Sequence, residues 1–195
     1  MYERLTRTNE TGRQAMSTSI RAGRNTVACL IGLLCASRPI AAELVQLKSR
    51  FDPEQVQWVA QPGDAHVSGT ALLTLGDGSR KNCAGFKVEL LPVAEYSSER
   101  IRLTYGNNRQ GQILLNQNPP AFTPDAPEYH ELLLKSQCDE QGVFAFDKVP
   151  AGEYYVMVFI IWHDMAGGEK RPQGGAVMKR IRVGAGAQVR VAMGG

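Results

Sequence analysis

Residues 142–162 read GVFAFDKVPAGEYYVMVFIIW, and the fold turns on this stretch. Phe144 and Phe146 fall on one face of an extended segment, Ala145 and Asp147 on the other, which is the period-two pattern of a half-buried strand. Val149-Pro150-Ala151-Gly152 interrupts it. Pro150 fixes its own φ and lacks a donor, and Gly152 tolerates the positive angles of a tight reversal, so the spacing predicts a β-hairpin. In the second arm Tyr154, Val156, Val158, Ile160 and Trp162 point one way, and Tyr155, Met157, Phe159 and Ile161 the other. Its β-branched and aromatic content selects strand over helix. A strand apolar on both faces is either central and covered twice or half of an interface.

Working outward to the N-terminus, residues 1–42 carry an export signal. Arg21 and Arg24 precede an apolar run from Val27 to Ala36, and Pro39 with small residues leads to Ala42, where cleavage is expected. The run is too short to span a bilayer comfortably. The first fifteen residues are polar and carry Arg4, Arg7 and Arg13, an awkward extension for such a signal, so the true start is expected at Met16. Lipidation is the competing address, but Cys35 follows Leu34 and Cys29 comes early in the run. The expected location is periplasmic or secreted, with nothing spanning the membrane once the signal is removed.

Removing residues 1–42 changes the charge. Six arginines and two glutamates leave with them, so the formal +3 becomes 16 basic against 17 acidic residues. A nucleic-acid partner is therefore not suggested. Cys83 and Cys138 are the two cysteines that remain, bound for an oxidising compartment, and a disulfide between them is expected. Two buried free thiols are the alternative.

Along the rest of the chain, residues 43–64 form a lead-in, with Asp52 able to cap a single turn beginning at Pro53 and Trp58 packing on the rim of the domain. Strands are expected at Val67–Leu75, Phe86–Leu91 and Glu131–Cys138. Residues 95–130 differ: prolines at 119, 120 and 124, many amides and three tyrosines describe a long excursion, with a short strand where Ile101, Leu103 and Tyr105 alternate. A polar loop is expected over 163–174, then a closing hairpin whose arms carry Val177, Ile181 and Val183, and Val189, Val191 and Met193, around Gly184-Ala185-Gly186. Many short strands without a long helix make an all-β antiparallel sandwich of about seven strands over residues 65–195.

Ser68-Gly69-Thr70-Ala71, Cys83-Ala84-Gly85, Asp139-Glu140-Gln141-Gly142-Val143-Phe144-Ala145-Phe146 and Val149-Pro150-Ala151-Gly152-Glu153-Tyr154 together resemble the carboxypeptidase regulatory-like domain. The resemblance covers about residues 65–194 and implies a transthyretin-like (prealbumin-like) sandwich, often found in secreted bacterial proteins. It also implies that Cys83 and Cys138 meet at one end of the domain. The shared motifs are turns and core positions, which specify fold rather than activity. Hydroxyisourate hydrolases resemble the same architecture, but they end in Tyr-Arg-Gly-Ser, whereas this chain ends Val191-Ala192-Met193-Gly194-Gly195.

No GxSxG elbow, HExxH pair or phosphate-cradling loop is present. His66, His130 and His163 share no metal-ligand spacing, so no metal or cofactor is expected. Arg180, Arg182 and Arg190 fall on the polar face of the last two strands, where an ordinary solvated surface explains them. The candidate binding surface comprises Tyr96, Tyr105, Asn107 and Tyr129 in the excursion, with Trp162 and His163 at the end of the central strand. Aromatic faces and amides suit a glycan, while tyrosines of this kind also pin an excursion to its domain. The leading expectation is a non-catalytic exported module that binds a protein or supports an envelope assembly. A carbohydrate-binding module is the alternative, and a hydrolase comes third, requiring a concave pocket where His163 or His130 meets a carboxylate.

Overall fold

The computed structural model describes residues 43–194; the expected export signal, the expected Met16 start, Cys29 and Cys35 lie outside the described residues. In chain order the first strands are β1 (Leu44–Gln46), β2 (Ala65–Thr74), β3 (Arg80–Asn82) and β4 (Lys87–Pro92), followed by helix α1 (Glu95–Tyr105). Then come β5 (Gln110–Leu114), β6 (Ala121–Thr123), helix α2 (Pro127–Glu131), β7 (Leu134–Gln137), β8 (Val143–Val149), β9 (Gly152–Ala166), β10 (Glu169–Val183) and β11 (Gln188–Met193).

The strands form a sandwich. One sheet has the order β5-β10-β9-β4-β7 and is antiparallel throughout. The other is built on β2, which pairs with β3 and β8 antiparallel and with β11 parallel. Between them lie Val67, Leu73, Val88, Leu90, Phe144, Val156, Val158 and Ile160, all fully buried. Each such side chain stabilises the fold by about 1.5–3 kcal/mol relative to exposure. At one end of this core Cys83 and Cys138 form a disulfide, with Cα atoms 5.7 Å apart.

Three expectations from the sequence are corrected. The two arms of 142–162 do not pair with each other: β8 joins β2 while β9 joins β10 and β4. Their inward residues, Phe144 and Phe146 on one side and Tyr154 and Val156 on the other, face each other across the core. The Pro150 turn is therefore an arch between sheets rather than a hairpin. Likewise β10 and β11 do not form a closing hairpin, because the Gly184–Gly186 turn crosses to the other sheet and β11 lies along β2. The true hairpin is β9–β10, which runs through the predicted polar loop as far as the Ala166–Glu169 pair. Gly167 and Gly168, with φ of 61° and 83°, supply the two left-handed positions of a tight primed turn.

The lead-in behaves as expected at Asp52, whose carboxylate accepts from Glu54 N at 3.0 Å ahead of a 3-10 turn starting at Pro53. Trp58 packs edge-to-face on Tyr154, with ring centroids 5.3 Å apart. Residues 95–130 contribute β5 to the edge of the five-stranded sheet and otherwise add a third layer on its outer face. Its centre is α1, where a short strand was expected. Tyr96 and Ile101 are buried on the helix's inner side and Leu103 points to solvent, so the period is helical rather than two. Ser97 Oγ accepts from Ala94 N at 2.8 Å and starts the helix, and Gly106, left-handed at φ 71°, ends it.

Candidate functional site

The outward face of β9 decides where a ligand can sit. Tyr155, at one end, is fully covered by α1, and its hydroxyl lies 3.0 Å from Ser98 Oγ. Farther along the strand the cover lifts. Met157, Phe159 and Ile161 are half-buried and form the floor of a cavity of about 530 Å³. Its walls are Ile101, Thr104 and Tyr105 of α1, Ile113 of β5 and Leu115 just after it, and the segment Pro119–Phe122.

The wall on the lead-in side is tied down by a buried acid. Glu99, 8% exposed, accepts from Lys48 N at 3.0 Å, from Ser49 N at 2.7 Å and from the Ser49 hydroxyl. The Ser49 hydroxyl and then its amide hold this carboxyl below the usual range against the opposing effect of burial. β1 adds a short parallel pairing with β6, so residues before and after the helix brace one another.

One end of the cavity is polar. Arg100 reaches from α1 between the rings of Tyr96, Phe122 and Tyr129, 4.8–5.4 Å from their centroids. Its Nη1 donates to Asp125 Oδ1 at 2.7 Å and to the Tyr96 hydroxyl at 3.0 Å. His130 Nε2 lies 3.0 Å from the same carboxylate oxygen. Burial pushes the Asp125 carboxyl up, but the bonds from Arg100 and His130 outweigh it and hold it below the usual range. Burial raises the phenols of Tyr105 and Tyr129 well above their ordinary value.

No family model and no curated protein sequence matches the chain. Among solved structures, it is similar to a protein of Pseudomonas aeruginosa provisionally described as a carbohydrate binding protein. The two are 22% identical with a TM-score of 0.59, over 74% of this chain and 97% of that one. The likeness establishes the fold alone.

The six residues of the expected binding surface do not converge. Tyr96 and Tyr129 are buried against each other, with centroids 5.0 Å apart, and against Phe51. Their faces are spent on holding the third layer in place. Tyr105 lines the cavity, whereas Asn107 closes the turn after α1, donating to Tyr105 O at 3.1 Å and accepting from Arg109 N at 2.8 Å. Trp162 belongs to the opposite face of β9 and packs at the edge of the inner core. Lys81 stands 4.7 Å over its ring, and its Nε1 donates to Asp164 Oδ2 at 3.0 Å. His163 is exposed on the β9–β10 ribbon.

The arginine stripe separates as well: Arg180 and Arg182 pair with Glu153 at 2.7 and 3.4 Å, while Arg190 lies in the other sheet. His130 does meet a carboxylate in a concave site. No hydroxyl or thiol is hydrogen-bonded to that imidazole among the described residues, and no group of three acidic, His or Cys side chains there is placed to hold a metal. No helix among them is long and apolar enough to cross a membrane.

Arg100 and Asp125 were missed from the sequence. They are 25 residues apart and meet only because α1 and the turn before α2 share one face of the sheet. The available signal was Met157, Phe159 and Ile161, whose apolar second face had to be covered or used.

Proposed function

We propose that the chain is an exported, non-catalytic binding module of the carboxypeptidase regulatory-like type, and that its ligand site is the cavity over the outer face of β9. One observation carries this reading: the third layer covers Tyr155 completely but leaves Met157, Phe159 and Ile161 as the floor of a recess. Its volume of about 530 Å³ falls in the range of small-molecule sites, and its lining, mostly apolar with a few convergent polar groups, is of the same kind. A broad protein partner would want a flat open face, and the roof formed by α1 and residues 119–122 makes this one concave. The Arg100–Asp125–His130 group then orients a ligand rather than performing chemistry on it.

The test is titration with the neutral fluorophore N-phenyl-1-naphthylamine. One molecule should bind per chain, with a rise in its emission. Ala176→Phe should weaken binding at least tenfold in protein that still folds, because Ala176 lines the cavity from β10 and a ring there intrudes on its floor. Saturation unaltered by Ala176→Phe would place the site elsewhere and defeat the reading.

A carbohydrate is the second candidate, supported by the description of the Pseudomonas aeruginosa neighbour. A sugar would have to stack on Tyr105, Phe122 or Phe159, since Tyr96 and Tyr129 are enclosed. Displacement of the fluorophore by an oligosaccharide panel would favour it.

A further inference from the structure

We infer that the ligand of this cavity is an amphipathic molecule with an apolar body and a carboxylate head, and that the head is held by the unused edge of Arg100. This deepens the reading of the cavity as the binding site and rests on it.

The argument starts from the donors of Arg100. A guanidinium carries five N–H donors in a fixed fork that matches a carboxylate bidentately. Both bonds it makes here leave from one nitrogen, Nη1, to Asp125 and Tyr96. Nε and Nη2, the other edge of the fork, have no acceptor among the described residues. No side-chain nitrogen or oxygen among those residues is both fully enclosed and unpartnered, so these two nitrogens open to solvent. Arg100 is itself a lining residue of the cavity, although its side chain is only 16% exposed.

The surroundings favour an acid in that position. Three aromatic faces strip water from the guanidinium while leaving its charge intact, and a charge-assisted bond gains strength where water is scarce. Asp125 is the competing acid, but it is about half exposed and uses one oxygen for both Arg100 and His130. Glu89, the second acid lining the cavity, stands opposite Lys135 in the β4–β7 pairing. Of the other polar lining groups, the Thr104 hydroxyl already donates to Arg100 O at 2.9 Å and His130 faces Asp125, which leaves the phenols of Tyr105 and Tyr129. Most of the lining, including Ile101, Ile113, Leu115, Met157, Phe159 and Ile161, offers no hydrogen bonds to a polyhydroxylated body. An alkyl or aryl tail fits that surface.

The experiment compares dodecanoate, dodecanol and dodecylamine as displacers of N-phenyl-1-naphthylamine from the full protein at pH 7.5. Dodecanoate is expected to displace it with at least tenfold lower Kd than the other two. Arg100→Lys keeps the charge but loses the fork, and should remove that preference. Retained binding of the neutral fluorophore by Arg100→Lys, with the three compounds then displacing it equally from the variant, separates a head-group effect from misfolding.

Equal displacement by all three compounds, or an acid preference that survives Arg100→Lys, would overturn the head-group assignment while the cavity remained a binding site. Failure of the fluorophore to bind at all would instead remove the site.

Discussion

Cutting the covalent link between Cys83 and Cys138 tests how the third layer is held to the sandwich. The two cysteines are 55 residues apart, and the loop they close contains α1, β5, β6 and α2, hence most of the cavity wall. On the chain-entropy account, closing a loop of that length is worth about 4 kcal/mol through restriction of the unfolded state. In a domain of this size that corresponds to a fall in Tm of roughly 8–16 °C. The native state changes little, because backbone bonds already hold the two segments together: Gly85 N donates to Cys138 O and Cys138 N to Phe86 O, each at 3.0 Å. Urea titrations of wild type, Cys83→Ala, Cys138→Ala and the double variant decide the matter. Either single substitution opens the loop, so the double variant should lose scarcely more than one single. Additive losses of about 1 kcal/mol each would mean that the sulfurs act only as packed atoms, and would refute the reasoning.

Three further outcomes are expected. Glu99→Gln should cost about 1–3 kcal/mol at pH 7, seen as faster amide exchange at Lys48 and Ser49. Because the folded carboxyl titrates below its ordinary value of 4.5, its contribution is complete above that pH and disappears as pH falls through the folded value, so wild type and variant should converge in acid. A Cβ at Gly152 would drive into the Trp58 ring, so Gly152→Ala should cost roughly 1–3 kcal/mol and alter tryptophan emission; adding Trp58→Ala should recover part of the loss. The Gln112 side chain spans the two sheets by accepting from Thr74 N at 3.1 Å and donating to Thr74 O at 2.7 Å. Gln112→Ala should lower stability by about 1 kcal/mol in chemical denaturation, and an unchanged midpoint would show that water replaces both bonds.

Much of the sandwich was legible because inward positions repeat every two residues: Val67, Ala71 and Leu73, or Val156, Val158 and Ile160, announce their strands. Pairing was not legible. A Pro-Ala-Gly turn serves an arch between sheets as readily as a hairpin, and the choice is made by Phe144 and Tyr154 meeting from opposite sides of the core. Helix α1 was hidden because Ile101, Leu103 and Tyr105 also fit a two-residue period, and only the exposure of Leu103 separates the two. The ribbon at residues 163–174 read as a loop because it carries polar residues on both faces. The resemblance to the carboxypeptidase regulatory-like domain suggested the meeting of Cys83 and Cys138, but it could not reach the cavity, whose roof lies in the excursion that departs from that domain.

The parallel pairing of β11 with β2 has a consequence for how the molecule is assembled. Asp64, just before β2, accepts from the backbone of Gly186, 122 residues later, shortly before the last strand sets out. A chain emerging from a ribosome or a translocation channel therefore presents β2 with one flank bare until residues 188–193 are free. Such distant partners slow folding, and a chain stalled or clipped before residue 188 would leave an open ribbon edge inviting aggregation.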